Sequence, residues 1–137
     1  MSGPESAMLG GRLAAEALMV DTCLITSPGS GEPTWDDEDG TYTEPERPVV
    51  YEGPCKVQRT ALEPRQAEAG ERTFAVEAAR VDVPMAVVGV RIGQRVEILT
   101  AEYDPDLAGA RFRVESIGAK TWATARRLRC SEGEATP

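Results

Sequence analysis

The sequence predicts a mainly β protein: a small antiparallel β-barrel or sandwich of about six or seven strands, with an N-terminal helix laid on it and one long acidic loop or hairpin excursion. Three observations predict it. Apolar and polar residues alternate with the period of a strand in several short segments bounded by turn residues. Thirteen glycines and ten prolines in 137 residues favour many turns over long helices. Helical spacing of apolar residues occurs near the N-terminus, where Leu9, Leu13, Ala17 and Val20 form one stripe. The length fits a single domain, residues 1–137, since domains cluster at about 100–150 residues.

The helix is expected over residues 7–20. Gly10 and Gly11 weaken its first turn by about 1 kcal/mol each relative to Ala, so its firm part starts near Arg12. Asp21 ends it, and the β-branched content of Thr22, Ile25 and Thr26 predicts the first strand. Residues 27–48 form an extended acidic loop. They hold four prolines, and from Glu32 to Glu46 there are seven acidic residues and no basic one. Connections in compact domains have a median of about 4–6 residues, so this one is an excursion. Within it, Trp35 and Tyr42 sit in β-forming runs on either side of Asp36, Asp37, Glu38, Asp39 and Gly40, the pattern of a small hairpin.

Strands follow at residues 49–51 and 55–59, split by Gly53-Pro54, with Cys55 and Val57 on one face. Residues 60–71 read as a mobile connection. In residues 72–83, Phe74, Val76 and Ala78 share one parity and Ala79, Val81 and Val83 the other, with Glu77, Arg80 and Asp82 as the outward set. This slip of phase is the signature of a β-bulge, which bends a strand round the corner of a barrel. Residues 95–100 and 111–115 alternate cleanly. The last strand is expected to start at Lys120-Thr121, with Trp122, Thr124, Leu128 and Cys130 sharing a parity; the charged Arg126 shares it too, marking a barrel rim or a second bulge. Residues 131–137 are expected to be a flexible tail.

Composition narrows the function. The net charge of −8 disfavours unspecific binding to a nucleic-acid backbone. The chain has no histidine, which removes Ser-His-Asp and Cys-His nucleophiles and histidine metal sites. Cys23, Cys55 and Cys130 lie far apart without a CxxC and read as reduced, buried thiols. The acidic turn departs from a calcium loop because Trp35 stands at the first ligand position, and Pro33 and Pro45 forbid flanking helices. No enzyme, cofactor or metal is expected. The longest apolar run is far short of the about 18–20 residues of a membrane span, and the N-terminus carries no signal-peptide pattern, so synthesis in a cytoplasm is expected.

Charge is uneven. Between residues 111 and 129, six basic residues face a single acid, Glu115. Arg111, Arg113, Arg127 and Arg129 are the candidate basic face, read first as a contact between protein subunits, ahead of a solvated face or a phosphate contact.

Four stretches carry a resemblance. They are Arg12-Leu13-Ala14-Ala15-Glu16-Ala17-Leu18-Met19 with Asp21-Thr22-Cys23; Gly31-Glu32-Pro33-Thr34-Trp35-Asp36 with Gly40-Thr41-Tyr42-Thr43; Val50-Tyr51-Glu52-Gly53-Pro54-Cys55-Lys56-Val57-Gln58; and Asp106-Leu107-Ala108-Gly109-Ala110-Arg111-Phe112-Arg113-Val114 with Lys120-Thr121-Trp122-Ala123-Thr124-Ala125-Arg126-Arg127-Leu128. In this order they resemble the head-to-tail stopper, or head-closure, proteins of long-tailed phages that infect actinobacteria. The resemblance implies a structural virion protein of the neck, assembled in the host cytoplasm. It implies a homo-oligomeric ring, a hexamer in preference to a dodecamer. An adaptor or portal ring would lie above it and a tail terminator or tail tube below, with packaged DNA passing through the channel. In this setting Trp35, Asp36, Asp37, Glu38, Asp39 and Tyr42 form an arm reaching a neighbouring subunit, a loop lining the channel or, third, a merely disordered loop, and residues 60–71 are a second candidate for an inward loop. The other readings are a different neck or tail-end ring protein, such as an adaptor or tail terminator, and a cellular β-barrel binding module.

Overall fold

The computed structural model describes residues 3–59 and 77–132. Its core is a closed antiparallel barrel of six strands in the order β1-β4-β5-β8-β7-β6, in which β6 returns to β1. The elements are α1 (Gly3–Ala17), β1 (Asp21–Thr26), β2 (Thr34–Asp36), β3 (Thr41–Thr43), β4 (Val49–Arg59), β5 (Glu77–Val83), β6 (Arg95–Thr100), a short 3-10 turn (Pro105–Leu107), β7 (Arg111–Ile117) and β8 (Arg126–Glu132). This is the expected small β-barrel with an N-terminal helix. Among the described residues, strands β2 and β3 pair only with each other, as a separate two-stranded sheet.

The alternation read along each strand sets the inside of the barrel. Cys23 and Ile25 on β1, Cys55 on β4, Val81 and Val83 on β5, Val96 and Ile98 on β6, Val114 on β7 and Leu128 and Cys130 on β8 are fully buried. Phe112 is the aromatic member of this cluster. Small β-branched side chains suit the interior because a six-stranded barrel leaves room for side chains and little else. All three cysteines are buried free thiols.

Closure requires corners, and bulges supply them. Register shifts fall between Ile25 and Thr26, between Thr22 and Cys23, between Glu77 and Ala79, and between Val114 and Ser116. The third is the bulge expected from the phase slip at Ala78-Ala79. Phe74, Val76 and residues 60–71 lie outside the described residues.

Four expectations need correction. The two short strands at 49–51 and 55–59 are one continuous strand of eleven residues. Gly53 and Pro54 do not interrupt it: Pro54 stands opposite Thr22, and Tyr51 folds over Gly53 so that its hydroxyl donates to the Pro54 carbonyl at 2.7 Å. The last strand starts at Arg126, not at Lys120; residues 121–125 are turn and bend. Trp122 is consequently exposed, and Arg126 sits at the rim, its Nε donating to the Met85 carbonyl at 3.1 Å. Ser131 and Glu132 belong to β8 rather than to a flexible tail, because they pair with Glu77, Arg113 and Phe112; residues 133–137 are not described.

The helix differs most. It starts at Gly3, four residues before the expected start, with Pro4 in its first turn, where a missing N–H costs nothing, and Glu5 at its positive end. It ends at Ala17, and Leu18 and Met19 close a tighter turn onto Ala15 and Glu16. None of its residues is buried. The stripe of Leu9, Leu13, Ala17 and Val20 faces solvent, with Leu13 72% exposed. The helix instead leans on residues 123–124 through Gly11 and Arg12. A β-carbon on Gly11 would lie 2.7 Å from Thr124 Cγ2, and Arg12 Nε donates to the Ala123 carbonyl at 3.3 Å. Gly11 is therefore a close-approach position rather than a weak first turn.

Candidate functional site

The acidic excursion is an ordered hairpin. Trp35 stands opposite Tyr42, flanked by the pairs Thr34–Thr43 and Asp36–Thr41. The two rings meet edge to face, with centroids 4.8 Å apart and planes at 62°, a favoured aromatic geometry. The turn closes when Gly40 N–H donates to the Asp36 carbonyl at 2.8 Å, with Gly40 at φ +67°, where glycine is favoured. Asp36 Oδ1 accepts from Glu38 N–H, and Asp37 Oδ1 accepts from Trp35 Nε1 at 2.7 Å. Two of the four acids thus shape the turn, while Glu38 and Asp39 are exposed at its tip. Trp35 and Tyr42 remain 49% and 67% exposed.

The base of the hairpin is tied to one end of the barrel. Ser27 N–H donates to the Pro48 carbonyl, Arg47 Nε donates to Thr26 Oγ1, and Glu44 lies 3.9 Å from Arg95. Gln94, itself buried, secures the same corner. Its Nε2 donates to Ser27 Oγ and the Gly89 carbonyl, and its Oε1 accepts from Arg91 N–H.

The four basic residues expected to share a face all lie on the outer side of β7 and β8, alternating with buried Phe112, Val114, Leu128 and Cys130. The structure divides them. Arg111 and Arg113 are matched by acids, at 3.8 Å from Glu97 and 3.8 Å from Glu115 respectively. Arg127 and Arg129 instead join residues of β5 and β4. Across the ladders Lys56 faces Asp82 and Asp82 faces Arg127; in the next row Gln58 faces Arg80 and Arg80 faces Arg129. Lys56 and Arg127 thus flank Asp82 in its row while Arg80 and Arg129 face each other in the next; the Asp82 side chain is only 7% exposed and lies 3.3 Å from Arg80 Nε. Arg80 Nε, Asp82 Oδ1 and Arg127 Nε are buried without a well-formed hydrogen bond. Sequence reading placed Arg80 and Asp82 outward but did not join them to the basic face. Their proximity depends on β5 lying between β4 and β8, which no local pattern encodes.

A further feature had no signal in the sequence. At the end of the barrel where α1 runs into β1, a cleft of about 300 Å³ is lined by Leu18, Val20, Val57, Tyr103 and Leu107, with Lys56, Arg59, Asp21 and Asp104 at its edge. Asp21 accepts from Glu102 N–H, Asp104 caps the 3-10 turn by accepting from Asp106 N–H, and Arg59 pairs with Glu132. Tyr103 is 83% exposed.

The interior offers little reactivity. The Cys23 thiol beside it and its burial push the Cys55 thiol far up, so it stays protonated. Burial, helped by neighbouring Cys23, raises the Tyr51 phenol to about 12. Among the described residues, no three His, Cys, Asp or Glu side chains converge as a metal site would require, and no helix is long and apolar enough to cross a membrane. The surface carries an aromatic and acidic projection at one end and, at the other, a recess of apolar side chains with charges of both signs.

Residues 11–131 match the family described as "Family of unknown function (DUF6093)". No curated protein and no solved structure matches the chain.

Proposed function

The chain belongs to the DUF6093 family, and we propose that it is a structural ring protein of a phage neck, a head-to-tail stopper that closes the DNA-filled head and gives the tail its docking surface. The observation that carries this reading is the ordered hairpin of Trp35, Tyr42 and the acids at 36–39, held at one end of a closed barrel and, among the described residues, in no sheet with any other strand. A barrel that presents such a projection suits an assembly in which identical subunits contact each other or surround a channel.

The resemblance supports the same role. Its four stretches fall on α1 and β1, on the hairpin, on β4, and on β7 and β8 with their flanks. They include the projecting hairpin and, of the basic rows, Lys56, Gln58 and Arg127. In the alternative role of a channel loop, carboxylates at the hairpin tip would repel DNA phosphates, which suits a conduit through which DNA must slide without sticking. A heterologous contact joins two different surfaces of one chain and generates a ring when its rotation closes.

The test is the mass of the purified protein alone and then with DNA-filled heads that lack it. A monomer of 14.7 kDa that becomes a bound ring on those heads, hexameric in this reading, supports the stopper role. A stable free oligomer that ignores the heads points to a tail-side ring such as a terminator. A monomer that ignores them points to a cellular binding module.

A further inference from the structure

We propose that the cleft beside α1, together with the basic rows of β4, β5 and β8, is the receptor for the β2–β3 hairpin of a second copy of this chain. The inference rests on the ring reading above and names the surfaces by which neighbouring subunits would join.

Position comes first. Strand β1 starts at Asp21, on the cleft, and ends at Thr26, where the chain leaves for the hairpin. Strand β4 starts at Val49, where the chain returns, and reaches the cleft at Lys56, Val57 and Arg59. Hairpin and cleft therefore lie at opposite ends of the same two strands, about 17 Å apart at ~3.3 Å per residue along β1. The bonds at Ser27, Thr26 and Gln94 fix the hairpin's base at its own end. The hairpin cannot fill its own cleft, so a head-to-tail neighbour is the copy that can.

Chemistry comes second. The hairpin presents an exposed aromatic pair followed at once by an acidic tip. The recess holds the apolar side chains of Leu18, Val20, Val57 and Leu107 with charges of both signs, and from its Lys56 the cations of the basic rows continue. Lys56 joins the two parts, since it lines the cleft and faces Asp82 in the basic rows. The acids at the cleft edge are already engaged by backbone N–H groups, whereas Lys56 and Arg127 enter no ion pair among the described residues. Aromatic side chains seated in an apolar recess are the usual anchors of a protein interface, with surrounding charges setting partner and register.

Third, the basic rows are incompletely satisfied within one chain. Arg80 is paired with Asp82, whereas Arg127 Nε is buried without a hydrogen bond among the described residues. A carboxylate arriving from Glu38 or Asp39 of a neighbour would give Lys56 and Arg127 an anionic partner, because Asp82 is already paired with Arg80.

The chain suits a direct test, because its lysines are Lys56 and Lys120 alone. Unlabelled and nitrogen-15-labelled protein are mixed, free at rising concentration and on filled heads, and a carbodiimide joins carboxylates to amines in contact. The expected product is a mixed-isotope link between the 36–39 segment and Lys56. Trp35→Ala and Tyr103→Ala should each lower its yield about tenfold, as truncation of an interface anchor does. Arg127→Glu should lower it, and Glu38→Arg in the same chain should restore it. Links confined to one isotope, links to Lys120 alone, or no link overturn the contact. The stopper reading is decided separately: rings on filled heads without the Lys56 link leave it standing, and linked protein that ignores heads overturns it alone.

Discussion

The Tyr51 hydroxyl and Gly53 occupy one space: a β-carbon on Gly53 would lie 2.7 Å from Tyr51 Oη, which donates to the Pro54 carbonyl. This contact lets β4 run through a Gly-Pro pair, because the phenol covers a stretch where a proline cannot donate to the ladder. Gly53→Ala must displace the ring and break its bond. The expected cost is about 1–3 kcal/mol, as for overpacking elsewhere. Tyr51→Phe keeps the ring and loses only the bond, at about 0.5–1.5 kcal/mol. Urea unfolding of both variants checks the order; an alanine variant as stable as the parent contradicts the close approach.

Stability should fall in alkali. The folded protein raises the Cys55 thiol, first through its contact with Cys23 and then through burial, from an ordinary 9.0. Burial raises the Tyr51 phenol from 10.0 to about 12. Both groups are neutral acids that hold their proton more tightly when folded. Their contribution is complete below the unfolded values and lost as pH rises through the window above them. The urea midpoint should decline from about pH 9, with Tyr51 contributing between pH 10 and about 12. Tyr51→Phe should flatten the upper part of that decline, and an unchanged slope contradicts the assignment.

Gln94 holds the corner from which the hairpin leaves. It is buried and makes three side-chain bonds, to Arg91 N–H, Ser27 Oγ and the Gly89 carbonyl. Gln94→Leu retains bulk but leaves these groups without partners, at an expected cost of about 1–3 kcal/mol. Hydrogen exchange should then rise at Ser27 and Arg91 while staying low in β8. Uniform protection across both regions would contradict a local role.

Asp82 keeps like charges apart on the barrel's outer face. Arg80 and Arg129 stand directly opposite each other, and Lys56 and Arg127 flank the carboxylate in its row. Asp82→Asn preserves shape and removes the charge, so the cations repel across the ladder. The expected loss is about 1–3 kcal/mol, below the cost of a fully buried pair because Arg80 is partly exposed. Added salt should recover part of it by screening, and a salt-independent loss would place the effect elsewhere.

What could be read in advance follows from the range of the signals. Period-two alternation in β6, β7 and β8 fixed which side chains face inward, because each strand has one wet face. The bulge near Ala79 was legible because a slip of one residue moves every following side chain to the other face. The hairpin was legible because Trp35 and Tyr42 flank a short acidic turn ending in glycine. The helix misled because apolar spacing normally marks a buried stripe; here Gly11 decides the contact, and the stripe stays exposed. The cleft was illegible because Leu18, Val57 and Tyr103 come from three segments, and the basic cluster because Lys56, Arg80 and Arg127 meet only through strand order.

The hairpin tip should be dispensable for folding and needed for assembly. Among the described residues β2 and β3 pair only with each other, Trp35 and Tyr42 are exposed, and none of residues 34–43 belongs to the barrel core. The bonds that anchor the excursion lie outside the tip, at Ser27, Glu44 and Arg47. Deleting residues 36–40 therefore removes acidic charge and a local turn but no core contact. The thermal midpoint should move by less than about 4 °C, the shift that roughly 1 kcal/mol produces in a domain of this size. Head closure or tail joining, scored as DNA retained and tails attached on heads supplied with the variant, should fail. Normal retention and joining would exclude both the channel-loop and the contact-arm roles, and loss of folding would show that the hairpin belongs to the barrel after all.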